Sequence, residues 1–342
     1  MGYINLIYEI KNQKISKESI IQEIEYGSTF ALYNKKEDII SLKSKSLKWI
    51  EWNQNNEETE VKVEDSFFDI DYFFEKFLTV FVFNLLDFGD VKLKYLDITN
   101  SIFKKYIVSN GHLSKLNQNY FKGSIFKPYY HLSIEERLRQ AELFISNGIN
   151  VIKNDECYFR SKLEIQKESE LVLKCIDNKA YYIPNITGYI GDYEFIKKLI
   201  NIGVEVFMVD FIITGYSSVY RLKQKFPNIK IWGHRIGYSV LERFMSMQAV
   251  SLLALLAGID LLHIGTPTIT TIKDKEILYN ELINLKPNFL PIFTKTTPEI
   301  LNNLIPIFKN EAIYMSCGYF RNRTGELDKE RINIWKESFN YE

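Results

Sequence analysis

The sequence predicts an α/β protein in which a (β/α)8 TIM barrel over residues 111–342 follows a smaller α+β domain over residues 1–110. Three observations predict it. From Ser124 onward, short apolar runs alternate strictly with amphipathic stretches, and eight such units in about 220 residues match the size of a (β/α)8 barrel. Before that point strands and helices are mixed, in segments that suit an antiparallel sheet covered by helices. A length of 342 residues, 46% hydrophobic and 25% charged, suits one large core and one small one.

In the first part, residues 3–10 read as a strand. Ser16 caps a helix that runs to about Glu25, with Glu18 at the positive end of its dipole. Short strands follow over 30–33 and 39–42. The polar, acidic stretch 53–60 reads as a loop, 61–63 as a strand, 71–84 as a helix by periodicity, and 91–98 as a strand. In the second part, strands are expected over 124–127, 150–153, 181–186, 206–210, 229–233, 261–265, 289–293 and 312–317. Helices fall between them, including 133–146, 217–225 and 238–257, with a last one over 329–339. Asp192 and Asp274 are candidate caps for two others. A doubly wound open sheet is the competing arrangement. No glycine-rich dinucleotide fingerprint follows the first strand, which counts against its nucleotide-binding form.

Composition narrows the function classes. Lys+Arg and Asp+Glu both number 43, so no basic field points to nucleic acid. A net charge of zero favours self-association. Cys157, Cys175 and Cys317 have neither disulfide-framework nor zinc spacing. The stretch Met1-Gly2-Tyr3-Ile4-Asn5 has no basic region followed by an apolar one, and the most apolar run, 249–259, is shorter than the roughly 20 residues of a membrane span. A cytoplasmic enzyme with no membrane association is therefore expected.

Active sites of such barrels lie at the C-terminal ends of the strands, so polar residues there point to function. The first strand ends Phe126-Lys127-Pro128. The second ends Lys153-Asn154-Asp155-Glu156. The fifth runs into His234-Arg235, and the sixth ends His263-Ile264-Gly265. Asp155 and Glu156 are hard oxygen ligands suited to Mg²⁺. A lysine ammonium beside them would repel a cation, whereas Lys153 carrying CO₂ as a carbamate would be a third oxygen ligand. Taken singly, Lys153-Asn154-Asp155-Glu156 reads more readily as a solvated charged turn, and each histidine equally well as a structural one.

Taken together, these motifs resemble the RuBisCO and RuBisCO-like superfamily. Gly123-Ser124-Ile125-Phe126-Lys127-Pro128, Leu132-Ser133 and Gly148-Ile149-Asn150-Val151-Ile152-Lys153-Asn154-Asp155-Glu156 are similar to its first two barrel strands and the helix between. Val209-Asp210-Phe211-Ile212-Ile213-Thr214-Gly215 resembles its fourth strand and glycine turn. His234-Arg235 and His263-Ile264-Gly265-Thr266 fall at its fifth and sixth strands. Residues 3–30 and 74–98 are similar to its small ferredoxin-like domain. The resemblance implies that Lys153 is carbamylated and holds Mg²⁺ with Asp155 and Glu156. It implies an acid/base role for Lys127, proton transfer or substrate contact for His234 and His263, and a phosphate or carboxylate at Arg235. Glu25, Thr29 and Asn84 would reach into a partner's site, making the protein a homodimer or a higher oligomer acting on a small molecule. The Glu25-to-Thr29 interval is one residue shorter than the family's.

The pattern also departs from the family. A carboxylase carries a mobile lysine in the loop after the sixth strand, and here that loop reads Thr266-Pro267-Thr268-Ile269-Thr270-Thr271. Lys273 and Lys275 come later, at the start of a helix. Tyr129 stands where the family has a second lysine or another residue. The turns after strands seven and eight, with Thr294 and Gly318 as candidate substrate contacts, keep one glycine of the usual phosphate cradle. Lys295, Arg321 and Arg323 compensate, or the phosphate is lost. Ser124-Ile125-Phe126-Lys127 with Glu136, Leu138, Arg139 and Gln140 is similar to the 2,3-diketo-5-methylthiopentyl-1-phosphate enolase branch. That branch has a lysine base where this chain has Asn84, and it lacks the His234-Arg235 pair. The expectation is a non-carboxylating, Mg²⁺-dependent enolase or keto–enol isomerase. Decarboxylation or epimerisation of a sugar acid, and a non-catalytic metabolite-binding role, are the alternatives.

Overall fold

The computed structural model describes residues 2–11, 24, 50–55, 58–88, 90–107, 113, 119–128, 132–157 and 160–340. Glu25, Thr29, Tyr129, most of the helix expected over 16–25 and the strands expected over 30–33 and 39–42 lie outside them. Contacts divide the chain into two compact units, residues 1–108 with 237–256, and residues 109–236 with 257–342.

The first unit is built on an antiparallel sheet in the order β2-β3-β1-β4, with β1 Tyr3–Ile10, β2 Ile50–Asn55, β3 Glu58–Glu64 and β4 Val91–Asp97. In β1 and β3 buried residues alternate with half-exposed ones, the signature of a sheet with one covered face. Helix α1, Phe73–Phe81, buries Phe73, Phe74, Phe77 and Phe81 along one stripe. Residues 53–55 and 58–60, expected as part of a loop, instead pair as antiparallel strands, with Trp52 opposite Val61 and Asn55 opposite Glu58. Polarity misleads there because Glu58 and Glu60 sit at the half-exposed positions of β3, on the face of the sheet that alternates with its buried one.

The second unit holds an eight-stranded parallel sheet: β5 Phe121–Ile125, β6 Val151–Lys153, β7 Tyr181–Ile183, β8 Val206–Asp210, β9 Lys230–His234, β10 Leu261–His263, β11 Leu290–Phe293 and β12 Ile313–Met315. The pairing runs β7-β6-β5-β12-β11-β10-β9-β8. A bridge between Asn185 and Met208, with the Met208 amide on the Pro184 carbonyl at 2.9 Å, joins the two ends. The sheet is therefore a closed barrel, and the open-sheet alternative is excluded. Its interior packs Val151, Ile183, Met208, Trp232, Ile292 and Met315 into one core. Each such side chain contributes roughly 1.5–3 kcal/mol by leaving water.

Between the strands run α2 Ile134–Ser146, α3 Lys162–Ile176, α4 Tyr193–Ile202, α5 Phe211–Thr214 and α6 Tyr216–Lys225. Ser133 starts α2 in a reciprocal capping box with Glu136. Asp192 accepts the Phe195 amide and caps α4. The stretch 238–257, expected as one barrel helix, is two: α7 Tyr238–Leu241 and α8 Met247–Leu256. Both helices belong to the first unit, where the Phe244 carbonyl accepts the Leu93 amide at 2.8 Å and the Leu93 carbonyl accepts the Ser246 amide at 2.9 Å. Three further helices, α9 Ile272–Leu285, α10 Pro298–Phe308 and α11 Lys329–Glu337, complete the order. Asp274 lies inside the first turn of α9, and Thr271 holds the cap position. No helix among the described residues is long and apolar enough to cross a membrane.

Candidate active site

Because the barrel strands are parallel, their last residues share one rim, and neighbouring strands are only about 4.8 Å apart. Lys153, Asp210, His234 and His263 are each the last residue of a strand. Lys127 lies two residues beyond β5, and Asp155 and Glu156 form the turn after β6. Residues separated by tens of positions in sequence thus meet at one end of the ring.

Lys153 is fully buried, and its Nζ donates to the Asn154 carbonyl at 3.0 Å and to Glu156 Oε2 at 3.3 Å. Lys127 pairs with the buried Asp155 carboxylate. Each carboxylate of the turn is therefore matched by an ammonium. Burial pushes the Glu156 carboxyl up, but Lys153, His234 and Lys127 outweigh it and hold it at about 2, below its ordinary 4.5. For Lys127 burial acts to lower the pKa, and the Asp155 and Glu156 charges reverse this, leaving it above the usual lysine value.

Asp210 orients His234. Its Oδ1 lies 2.6 Å from the ring Nδ1, while Oδ2 accepts the Thr187 hydroxyl at 3.2 Å. With Nδ1–H on Asp210, Nε2 faces Glu156 Oε2 at 3.8 Å. His263 is held differently. The Trp232 indole N–H, which can only donate, lies 2.8 Å from its Nε2 and places the lone pair there. Burial, then the charges of His234, Lys153 and Arg235, push its pKa well below the ordinary histidine value, so it is neutral with its proton on Nδ1. The two imidazoles meet edge to face at 4.7 Å.

Behind the turn a buried relay fixes the backbone. Arg137 donates to Glu168 at 3.0 Å, Tyr182 donates to Glu168 at 2.8 Å, and the Asn154 amide donates to the Tyr182 oxygen at 2.9 Å. The Asn185 amide holds the Asp155 and Glu156 carbonyls at 3.3 and 3.1 Å. This support matters because a metal or substrate site is only as well defined as the groups that orient its ligands.

The other expected residues fall as follows. Arg235 brings Nη2 to 3.6 Å from where a Cβ on Gly265 would sit. The Thr294 hydroxyl meets that of Thr266 at 3.4 Å, linking the turns after β11 and β10. Gly318 is exposed with open space where a side chain would be, so crowding does not require a glycine there. Asn84 is half-buried in a short 3₁₀ helix, Phe83–Phe88, of the first unit. The sequence reading did not single out Asp210, Asn185, Thr187, Trp232 or the Arg137–Glu168–Tyr182 relay. Asp210 satisfies the same criterion as Lys153, a polar residue closing a strand, and could have been found by it.

Among the described residues no group of three or more His, Cys, Asp and Glu is gathered to hold a metal. Asp155 and Glu156 supply two anionic oxygens, and the third position is filled by the Lys153 amine. The donor set therefore fits a hard divalent cation only with Lys153 as a carbamate, which would exchange a repelling charge for a ligand oxygen.

No family model matches the chain. Among curated proteins it is similar to the ribulose bisphosphate carboxylases of Methanosarcina acetivorans, at 25% identity over 57% of this chain and 54% of that protein, and Archaeoglobus fulgidus, at 31% over 42% and 36%. The chain spans about half the length, or less, of the curated relatives it matches. Among solved structures it is similar to the octameric Rubisco of Pyrococcus horikoshii, with a TM-score of 0.78, 15% identity and coverage of 99% of this chain and 89% of that one. A dimeric archaeal Rubisco from Hyperthermus butylicus gives 0.76, 16%, 99% and 90%, and a rubisco-like protein from Burkholderia fungorum 0.76, 15%, 99% and 94%.

Proposed function

We propose that this chain, a divergent member of the RuBisCO and RuBisCO-like superfamily, is an enzyme that enolises a small keto compound with the help of Mg²⁺ and does not fix CO₂. The observation that supports this best is the pairing of an elaborated Lys127–Lys153–Asp155–Glu156 cluster with a loop, residues 266–271, that contains no lysine. In that loop threonines bond one another, the Thr271 hydroxyl accepting the Thr268 amide at 3.0 Å, and Ile269 is exposed. The proton-handling groups needed for enolate formation are retained, and the cation expected to meet an incoming CO₂ is missing.

Lys153 as a carbamate, Asp155 and Glu156 would hold the ion, which when bound supplies Lewis-acid polarisation of a carbonyl. The chain's own residues account for the rest. Burial acts to lower the Lys127 pKa and the Asp155 carboxylate is the main opposing influence, so a substrate or ion that drew Asp155 away would weaken what now holds the amine protonated. Lys127 would then take the proton next to the carbonyl. His234, aligned by Asp210, presents Nε2 to the same space, and neutral His263 offers an Nδ1–H donor. A homodimer, the assembly implied by the resemblance, is part of this reading. Dimeric and octameric Rubiscos are among the similar structures, and light scattering on the purified protein tests it.

The decisive assay is exchange of the α-proton with deuterated solvent across a panel of keto-sugar phosphates, with Mg²⁺ and CO₂ present. Exchange that disappears in Lys127→Ala supports the reading. Absence of exchange over the whole panel refutes it.

A further inference from the structure

Behind the rim, a second path joins the Asp155–Glu156 turn to His234. Asn185 and Thr187 follow β7, and both are buried. Asn185 lies at the seam where the ring closes, in its bridge to Met208. Its side-chain amide uses every hydrogen-bonding position it has. Nδ2 gives its two protons to the Asp155 and Glu156 carbonyls, while Oδ1 accepts the Thr187 amide at 2.9 Å and the Thr187 hydroxyl at 2.6 Å. A backbone N–H can only donate, so Thr187 fixes which way this amide faces. Thr187 continues the path. Its oxygen accepts the Asp210 amide at 3.0 Å, and its single proton has two acceptors in reach, Asn185 Oδ1 at 2.6 Å and Asp210 Oδ2 at 3.2 Å. Asp210 Oδ1 then holds His234 Nδ1 at 2.6 Å, and His234 Nε2 faces Glu156 Oε2 at 3.8 Å. The path leaves the Glu156 carbonyl and returns to the Glu156 carboxylate.

One proton cannot serve two acceptors fully. Turned to Asn185, the Thr187 hydroxyl completes the grip on the turn and leaves more of the Asp210 carboxylate for His234. Turned to Asp210, it loosens the first and competes with the second. A β-branched side chain is stiff at χ1, which keeps the hydroxyl at this junction. We propose that Thr187 is a positioning residue that couples the Asp155–Glu156 turn to the orientation of His234, so that an ion at the turn and the imidazole are set together. Such a coupling is reciprocal: what the turn does to the histidine, the histidine does to the turn by the same free energy. The proposal rests on the reading of this rim as a metal and proton-transfer site.

Nuclear magnetic resonance on the full chain tests the link before any metal is added. A short hydrogen bond to a carboxylate draws a ring proton to low field, so His234 Nδ1–H should give such a resonance in wild type, assigned by its absence in His234→Gln. In Thr187→Val that resonance should vanish. The Cys157 amide belongs to the same peptide group as the Glu156 carbonyl and bonds Asp155 Oδ1 at 2.8 Å. In the valine variant it should exchange with solvent about tenfold faster, the size of one lost hydrogen bond. CO₂-dependent Mg²⁺ binding, by calorimetry, should weaken about tenfold or more. Thr187→Ser should keep all three, and Thr187→Ala repeats the comparison if the valine variant folds poorly. No low-field resonance in wild type, either metal-free signal unchanged in the valine variant, Mg²⁺ binding unchanged there, or a serine variant that behaves like valine would each overturn the coupling. A wild type that binds no Mg²⁺ while both metal-free signals respond to Thr187 would remove the metal reading and leave the coupling.

Discussion

Replacing Glu156 by Gln should destabilise the protein near neutral pH and make that loss vanish in acid. The Glu156 carboxyl lies at about 2 instead of 4.5, because Lys153, His234 and Lys127 outweigh the cost of its burial. At 1.36 kcal/mol per tenfold change, that depression corresponds to about 3 kcal/mol of stability carried by the ionised form. Its side chain is 25% exposed, so solvent screening removes only part of this. The folded-state value is depressed, so the contribution is complete above about 4.5 and is lost as pH falls from there toward 2. Glutamine keeps the shape and removes the charge, leaving the buried Lys153 ammonium without its carboxylate. Thermal unfolding of wild type and Glu156→Gln, followed from pH 7 down to pH 3, reads the difference directly. The gap in midpoints should be constant above about pH 5 and close progressively below it. A gap that is absent at pH 7, or that is the same at pH 3.5 as at pH 7, would refute the charge argument.

Other outcomes follow from the same geometry. Lys153→Ala should abolish CO₂-dependent Mg²⁺ binding measured by calorimetry; binding retained without CO₂ would mean that the two carboxylates suffice. Asp210→Asn should leave the fold intact but free the His234 ring, lowering α-proton exchange by about 10²-fold; an unchanged rate would make the 2.6 Å Asp210–His234 contact structural only. Asp260 is buried between Lys223 Nζ at 2.7 Å and Lys286 Nζ at 3.1 Å, well away from the chemistry. Asp260→Asn should therefore cost about 3–5 kcal/mol by leaving two buried ammonium groups uncompensated, read as a lowered unfolding midpoint with ligand binding retained in the folded fraction.

The sequence by itself determined the order of strands and helices, because the alternation of apolar runs and amphipathic helices is a local property of the chain, while closure of the sheet into a ring was decided by the pairing of its two ends. All eight barrel strands lie where that pattern puts them, with ends displaced by at most three residues. The strand-end rule likewise selected Lys127, Lys153, Asp155, Glu156, His234 and His263, which the ring brings to one rim. What periodicity cannot encode is which side chains of different strands become partners. Trp232 and His263, or Asp210 and His234, are neighbours only because β8, β9 and β10 lie side by side in a closed ring. Tertiary context also overrode local signals. Polar residues 53–55 and 58–60 joined paired strands because main-chain pairing can place polar side chains at the half-exposed positions of a sheet. The apolar stretch 249–256 became a separate helix of the first unit because main-chain bonds from Leu93 hold the residues before it. Lys275 reads in sequence as the start of a solvated helix. Its place over Gly265 needs a glycine with positive φ ten positions earlier, and backbone conformation of that kind exists only once the chain has folded.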